Sequence, residues 1–221
     1  QYILPMGAAI WSCRKEDITS FPAKSFFNFW QNHTLLNIKN RPTWKTIKGG
    51  SCTYIDAFKK QFTGTILTNT PVTNINKRNN KITITLKNKK ELTTDYGIVA
   101  THANDALALL ESPSNEEKKY LSAWNYSKNT VYLHTDTRVM PPQKVAWSSW
   151  AVQESTQKSH LYMTYYMNRL QRLPTTTPYF VTLNEHHHIA EEKLIKTINY
   201  THPIYDKDAV NSQKKLPTLN N

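Results

Sequence analysis

Residues 81–86 read Lys81-Ile82-Thr83-Ile84-Thr85-Leu86, with apolar side chains at every second position. This alternation is typical of a β-strand that buries one face. Turn-forming residues lie on both sides, at Arg78-Asn79-Asn80 and at Asn88-Lys89. The stretch therefore predicts the central strand of a β-meander within residues 65–100.

The flanking segments extend this prediction in both directions. Thr70-Pro71-Val72 begins one strand, and Gly97-Ile98-Val99-Ala100 is expected to form a short buried strand at the end of the meander. Thr101-His102-Ala103-Asn104-Asp105 then leads into a helix that continues to Leu110. A second short helix is predicted from Asn115 to Leu121, with acidic residues at its positive end.

The N-terminal third predicts helices. Phe26, Phe29, Trp30 and His33 recur at i, i+3, i+4 and i+7, which places them on one helical face suited to core packing. After the glycine pair at 49–50, a further short helix is predicted. Its first backbone N–H groups have no helical acceptor and can receive an anion, and a plain tight turn is the alternative.

The C-terminal half is rich in predicted strands, at Thr130–Thr135, Val145–Val152, His160–Asn168 and Tyr179–Leu183. Ile189 to Ile198 is predicted as a helix, because Leu194, Ile195 and Ile198 share a helical face. Residues 206–221 are predicted to form a polar tail. The fold class is therefore α+β.

Glycine is scarce, with 5 residues in 221, and the sequence contains neither G-x-G-x-x-G nor a P-loop. No signal peptide is visible, and no apolar run approaches the roughly 18 residues of a membrane span. Two cysteines make no disulfide framework, which favours a reducing, cytoplasmic location.

The net charge is +12, but 22 of the 28 basic residues are lysine. Arginine is preferred for bidentate recognition of phosphates and bases, so a solvated basic surface is favoured over specific nucleic-acid binding. A basic module that binds single-stranded nucleic acid stays open as an alternative function.

Sequence motifs for catalysis are scarce. Neither H-E-x-x-H nor G-x-S-x-G occurs, and no metal site is predicted. His186-His187-His188 is expected on a surface connection. Cys52 begins a helix, where a thiol pKa can fall, but a small buried side chain is the favoured interpretation.

A resemblance rests on segments in a fixed order along the chain. They are Tyr2-Ile3-Leu4-Pro5-Met6-Gly7-Ala8-Ala9-Ile10-Trp11-Ser12, Phe27-Asn28-Phe29-Trp30-Gln31-Asn32-His33, residues 40–51 with the Gly49-Gly50 pair, Asn69-Thr70-Pro71-Val72, Val99-Ala100-Thr101-His102-Ala103-Asn104-Asp105-Ala106-Leu107, Leu133-His134-Thr135-Asp136-Thr137, Tyr165-Tyr166-Met167-Asn168-Arg169-Leu170-Gln171 and residues 177–184. Together they cover nearly all of residues 1–217. The chain resembles the bacterial FAD-dependent amine-oxidase-like oxidoreductases of the flavin amine oxidase superfamily, which are described as predicted NAD/FAD-binding proteins.

The resemblance implies a substrate domain with a mixed β-sheet and flanking helices, plus a partial FAD-binding domain containing the β-meander. Residues 1–45 and 111–205 resemble the substrate domain, residues 46–110 the middle FAD-domain segment, and 206–221 a tail. The glycine-rich segments with which family members begin and end are not in this sequence. The resemblance therefore implies an internal fragment that is inactive and without FAD on its own. A non-catalytic relative is the other alternative.

The resemblance also implies site residues. Those expected near FAD are Val72, Thr101, His102, Ala103, Gly49 and Gly50. Lys128 is the candidate for a catalytic lysine near the flavin, with Asn129 or Thr130 as alternatives at that position. The residues expected to line a substrate cavity, or else to pack in the core, are Trp147, Trp150, Tyr165 and Asn168. The implied partner is a small molecule that gives a hydride to flavin, and the oligomeric state is left open. Few charged groups fall in the strands expected to line the cavity, which favours a lipid-like or other largely apolar substrate.

Overall fold

The computed structural model describes residues 3–37, 39, 42–154, 161–184 and 189–219. Helices and β-sheets both occur in it, which confirms the α+β class. The chain divides into two compact units. Unit 1 comprises Gln1–Phe62 and Tyr126–Ile204, and unit 2 comprises Thr63–Asn125 and Tyr205–Asn221. The predicted division into substrate and FAD-binding segments concerns function and stays a prediction.

The first helices of unit 1 enclose an aromatic cluster. They are α1 (Ile3–Ile10), α2 (Lys15–Ile18) and α3 (Ala23–Asn32). Phe26 and Trp30 of α3 are buried, as the helical spacing predicts, and the Trp11 ring centroid lies 5.3 Å from that of Phe26. Gly7 faces Phe26 so closely that an added Cβ would lie 2.7 Å from the ring. Helix α4 (Cys52–Gln61) follows the glycine pair, as predicted, and is exposed along its length.

A five-stranded sheet lies in the C-terminal part of unit 1. Its strands are β4 (Asn125–His134), β5 (Trp150–Glu154), β6 (Leu161–Tyr166), β7 (Phe180–Leu183) and β8 (Leu194–Ile204), and their order in the sheet is β5-β6-β7-β4-β8. The short helix α7 (Met167–Gln171) continues directly from β6. Pairs β5–β6, β6–β7 and β7–β4 are antiparallel. Val139, Met140 and Phe180 form the buried core on one face of this sheet.

Two elements of unit 1 differ from the sequence prediction. The helix predicted at 189–198 is wrong, because a single 3-10 turn at Glu191–Lys193 leads into strand β8. The segment is rich in β-branched residues and lies at the edge of the sheet, where the Thr130 hydroxyl is 3.0 Å from the Asn199 amide oxygen. The strand predicted from Val145 begins only at Trp150, after a 3-10 turn at Lys144–Ala146.

Unit 2 contains the predicted meander, with strands β1 (Val72–Arg78), β2 (Lys81–Leu86) and β3 (Glu91–Thr94) paired antiparallel in that order. Helices α5 (Ala103–Leu109) and α6 (Asn115–Leu121) follow, also as predicted. Ser114 caps α6 by accepting a hydrogen bond from the Glu117 N–H at 3.1 Å. These residues confirm the local sequence signals.

Two predictions in unit 2 are wrong. The segment 97–100 is neither a strand nor buried, and the Ile98 side chain is 96% exposed. It follows β3 without pairing, so its apolar composition does not bring it into the core. The polar tail at 206–221 contains helix α8 (Lys207–Gln213), which packs against α6. The helix was missed because its buried side chains are the small Ala209 and the polar Ser212, the latter accepting from the Trp124 indole N–H at 3.0 Å.

Candidate functional site

The glycine pair forms a turn that requires glycine. Gly49 and Gly50 have φ values of +83° and +85°, in the left-handed region that side chains disfavour. The Gly50 N–H donates to the Ile47 carbonyl at 3.0 Å, and the Gly50 carbonyl accepts from the Thr53 hydroxyl at 2.8 Å. The turn therefore has a structural reason in its own hydrogen bonds, and its predicted contact with FAD stays a prediction.

The other residues predicted near FAD lie in unit 2. Val72 begins β1, pairs with Leu86, and precedes a bulge. His102 precedes the first residue of α5, and its carbonyl accepts the Ala106 N–H at 2.8 Å. Helix α5 lies against β1, where Glu111 donates its N–H to the Ile75 carbonyl at 3.0 Å. Val72 and Thr101–Ala103 thus belong to elements that are in contact.

The candidate lysine and its neighbour lie on opposite faces of β4. The Lys128 side chain is exposed, whereas Asn129 is buried. The Asn129 amide nitrogen lies 3.0 Å from His202 Nδ1, and its amide oxygen accepts a hydrogen bond from Asn184 at 2.7 Å. Of the three alternatives at this position, Asn129 has the most extensive contacts inside unit 1.

The aromatic residues predicted to line one cavity lie on both faces of the sheet. Trp150 and Tyr165 are cross-strand partners with ring centroids 5.7 Å apart. Burial of the Tyr165 side chain raises its pKa. Trp147 instead contacts Tyr166, whose side chain points to the opposite face from Tyr165 because neighbours in a strand alternate.

A cleft of about 290 Å³ opens beside Trp147. The indole N–H of Trp147 donates to the Pro141 carbonyl at 2.7 Å, and the Trp147 carbonyl accepts from Arg169 Nη1 at 2.6 Å. The first bond holds the indole ring in one orientation, and the second ties the Arg169 side chain to the Trp147 backbone. The cleft is lined by Thr137, Lys144, Trp147, Tyr166, Arg169, Thr176 and Pro178.

Asn168 shapes the loop that borders this cleft. Its amide nitrogen donates to the carbonyls of Thr175 and Thr177, at 3.2 and 2.8 Å, and its amide oxygen accepts the Tyr179 N–H at 2.7 Å. These bonds fix the segment that carries Thr176 and Pro178. Asn168 is therefore a loop-organising residue, and Trp147 is the predicted cavity residue that lines the cleft.

A row of buried polar side chains, joined by hydrogen bonds, runs across strands β4, β7 and β6. His134 Nδ1 accepts the Asp136 N–H at 3.1 Å, which leaves Nε2–H to donate to the Thr182 hydroxyl at 2.8 Å. The Thr164 hydroxyl lies 2.9 Å from that of Thr182. All three side chains are fully buried. Burial lowers the pKa of His134 to about 4, although the nearby Asp136 carboxylate opposes this shift.

Asp136, a buried carboxylate, lies at one end of this row of hydrogen-bonded residues. The Arg138 guanidinium donates to both its oxygens, with the shortest bond at 2.6 Å, and the Ala190 N–H donates to it at 2.9 Å. The Arg138 hydrogen bonds hold the pKa of Asp136 well below its usual range. The carboxylate thereby fastens the segment before β8 to the end of β4.

The remaining sequence candidates show no assembled site. Cys52 is exposed, so the expectation of a buried side chain is wrong. Burial raises the pKa of Cys13 to about 12. His186–His188 lie outside the described residues. Within the described ranges, no three metal-ligating side chains cluster, and no helix is both long and apolar enough to cross a membrane.

Sequence reasoning missed three functional-site candidates in unit 1: the cations Lys144 and Arg169, and the buried His134. The cations lie in the turn before β5 and on α7, so an analysis confined to strand residues does not find them. The spacing Asp136-Thr137-Arg138 was the available signal for a local carboxylate–guanidinium pair, and it sits within a segment already notable for its resemblance.

Residues 7–198 of the chain match a known protein family. The model described as "Flavin containing amine oxidoreductase" matches residues 7–198. The chain belongs to this family. The family is one of flavin-dependent oxidoreductases, which confirms the resemblance. No match to a curated protein sequence was found.

Two solved structures are similar in fold to this chain. One is a CLA-producing fatty acid isomerase from P. acnes, with a TM-score of 0.50 and 13% identity over 75% of this chain. The other is a reduced UDP-galactopyranose mutase, with a TM-score of 0.51 and 14% identity over 78% of this chain. The 221-residue chain matches only 43% of the length of the isomerase and 44% of the length of the mutase. At such identities the likeness concerns the fold alone.

The residues present fit part of a flavin-nucleotide site. Thr101 is exposed, and Val72 is half-buried at the first residue of β1, so neither residue is enclosed by the rest of unit 2. The sequence has no glycine-rich pyrophosphate loop, so these residues fit the flank of a nucleotide and not its whole binding site.

Proposed function

We propose that this chain forms the substrate-binding part and one segment of the FAD-binding part of an FAD-dependent oxidoreductase. The observation that carries the proposal is the family match across residues 7–198. When bound, FAD would supply the redox chemistry by accepting a hydride from a C–H bond of an organic substrate. Unit 1 would hold and orient that substrate, and unit 2 would contact the nucleotide through Val72 and Thr101–Ala103.

An apolar substrate face is supported by the aromatic pair on β5 and β6. Trp150 and Tyr165 pack together, and Trp44 lies 6.3 Å from Trp150 between ring centroids. Such a surface excludes water and binds an apolar group without fixing its polar atoms. We therefore propose a largely apolar, lipid-like substrate for this face.

The position of a catalytic lysine is better assigned to a polar neighbour. Lys128 points away from the buried side of β4, whereas Asn129 is held there by Asn184 and His202. We propose that Asn129 occupies the place given to a lysine in many amine oxidases. A neutral amide there donates and accepts hydrogen bonds but does not carry a charge at neutral pH.

The test uses the product of the complete reading frame beside the 221-residue chain. We expect the complete product to purify with a flavin absorbance spectrum that dithionite bleaches, and the 221-residue chain to purify without one. Anaerobic bleaching by long-chain fatty acids, but not by short-chain acids with the same carboxylate, would support the apolar substrate. A colourless complete product that binds no added FAD would contradict the proposal and favour a non-catalytic relative.

Two variants test whether Lys128 or Asn129 occupies the position of the catalytic lysine. Lys128→Gln is expected to leave the rate of flavin reduction nearly unchanged, whereas Asn129→Asp places a charge in the buried network and is expected to slow it. Circular dichroism of both variants checks that they fold. If Lys128→Gln alone abolished flavin reduction, Lys128 would be restored as the catalytic candidate.

A further inference from the structure

We propose that the cleft beside Trp147 binds a small aromatic carboxylate. The cleft is lined by two cationic side chains and three that offer hydroxyl groups, and none of its seven lining residues is acidic. This inference goes beyond the proposed oxidoreductase, because binding here requires neither flavin nor turnover.

The floor of the cleft is aromatic and held in place. The rings of Trp147 and Tyr166 meet edge to face with centroids 5.3 Å apart, and each also packs on the buried Phe180 ring. The hydrogen bond from the Trp147 indole to Pro141 prevents the ring from rotating away. A flat apolar group can therefore stack on this floor at little cost in side-chain ordering.

The rim of the cleft is cationic. Arg169 donates from Nη1 to the Trp147 backbone carbonyl at 2.6 Å, which fixes the guanidinium at the edge of the cleft that both residues line. Lys144 holds its ammonium 5.9 Å from the centroid of the same indole. Among the described residues, no carboxylate forms an ion pair with either cation. The carboxylate nearest to Lys144 along the chain, that of Asp136, is already bound by Arg138 and Ala190.

This arrangement selects the class of ligand. A stacking floor beneath two cations favours an anion that carries a ring, since each part of such a molecule meets a complementary surface. The remaining donors of Arg169 match a carboxylate, which accepts hydrogen bonds from a guanidinium in a planar arrangement. The volume of 290 Å³ lies near the lower limit of ligand pockets, about 300–1,000 Å³, and so suits one ring and not a long chain.

The experiment is an NMR titration of the ¹⁵N-labelled 221-residue chain, with the Trp147 indole N–H as the reporter. The probes are phenylacetate, its neutral isostere phenylacetamide, and inorganic phosphate. We expect phenylacetate to shift the Trp147 signal with saturation, with an affinity that falls as salt is added. Phenylacetamide and phosphate should bind at least about tenfold more weakly, because each lacks either the charge or the ring.

Three variants locate the site. Arg169→Gln should weaken phenylacetate binding about tenfold, and Lys144→Gln about threefold, because the lysine is the more solvated cation. Lys196→Gln, an exposed lysine on β8 with the same change in charge, is the matched control and should bind as the parent does. If Arg169→Gln fails to fold because it loses its bond to Trp147, Arg169→Lys and Lys144→Gln decide the question.

Clear outcomes overturn the proposal. Absence of a saturable shift with phenylacetate would do so, as would equal binding of phenylacetamide or of phosphate. A loss in Lys196→Gln as large as that in Lys144→Gln would show that net charge, and not the cleft, attracts the anion.

Discussion

The five-stranded sheet of unit 1 and the three-stranded meander of unit 2 arise from the same kind of sequence signal but differ in burial. In unit 1 the Phe180 side chain is fully buried among the rings of His134, Tyr166 and Trp147. Within the described part of the meander, Leu86 is the one buried apolar residue, at 5% exposure, and the Ile98 side chain just beyond the meander is 96% exposed.

This difference in burial shows what the alternation of apolar and polar residues along a strand can and cannot predict. Alternation reports which residues share a face of a strand, and this held for β2 as well as β6. Whether that face is covered depends on which other elements pack there. In unit 1 the turn carrying Val139 and Met140 covers one face of the sheet, whereas the segment after β3 stays exposed.

The largest expected effect comes from Phe180→Ala. Removing a fully buried ring leaves a cavity beneath the His134 and Tyr166 rings and should cost about 3–5 kcal/mol of unfolding free energy. Ile98→Ala removes an exposed side chain, so its effect should stay within about 0.5 kcal/mol. Denaturant unfolding of both variants measures the contrast.

Equal losses in the two variants would break the comparison. An Ile98→Ala variant as destabilised as Phe180→Ala would mean that residue 98 is covered in solution. Repeating the Ile98→Ala measurement at several protein concentrations would then show whether a second copy of the chain provides the cover.

The second prediction concerns the pH dependence that His134 confers. Its folded pKa is lowered to about 4 from an ordinary value of 6.5, so the unfolded chain takes up the proton first as the pH falls. The contribution of His134 to stability is therefore complete above pH 6.5 and is lost towards pH 4. The pKa difference corresponds to about 3 kcal/mol. Denaturant unfolding across this pH range should show the loss.

His134→Gln is the matched test, because an amide can still accept from the Asp136 N–H and donate to Thr182. This variant should lose most of the slope between pH 6.5 and pH 4, whereas His33→Gln, at an exposed histidine, should keep it. The lowered pKa of Asp136 also removes stability on acidification, but only below the ordinary carboxyl pKa of 3.8. An unchanged slope in His134→Gln would disprove the role of His134.

Local structure was largely predictable because its determinants lie within a few residues. The sequence predicts α6 at Asn115–Leu121, where Ser114 and Glu117 form a capping box. It fails at 189–198, because Leu194, Ile195 and Ile198 satisfy a helical pattern while the pairing partner of β8 is far away in sequence. It fails at 97–100, because burial there requires a neighbour that four apolar residues cannot specify.

The candidate site was predictable only in part. The aromatic residues Trp147, Trp150 and Tyr165 were found from their type, but their division between two faces of the sheet depends on where β5 begins. The positions of Lys144 and Arg169 in the cleft depend on the geometry of the turns around it. That geometry is set by hydrogen bonds, from Arg169 to the Trp147 carbonyl and from the Tyr179 N–H to the Asn168 side chain. No short-range pattern announces such contacts.

The third prediction tests the helical layer of unit 1. Gly7→Ala would place a Cβ 2.7 Å from the Phe26 ring and 3.2 Å from Ile18. The ring must move, and overpacking of this kind should cost about 1–3 kcal/mol. Ala8→Gly, at the neighbouring buried position of α1, is the comparison in the opposite direction, because it loses roughly 1 kcal/mol of helix propensity together with a buried methyl group. Chemical denaturation should rank the two, and a Gly7→Ala variant as stable as the parent would mean that Phe26 has room to rotate.

The smallest expected effect lies in unit 2, at the cap of α6. The Ser114 hydroxyl accepts from the Glu117 N–H, and the Glu117 carboxylate accepts in return from the Ser114 N–H at 2.6 Å. Ser114→Ala removes the first of these bonds and should cost about 1 kcal/mol. Because α6 is a short helix without fully buried residues, the loss should appear as faster amide exchange in α6, with unit 1 unaffected. Ser122→Ala, at the other end of the same helix, should leave exchange unchanged. Faster exchange throughout β6 and β7 in Ser114→Ala would instead show that the two units unfold as one, and the contrast in burial between them would then have no counterpart in stability.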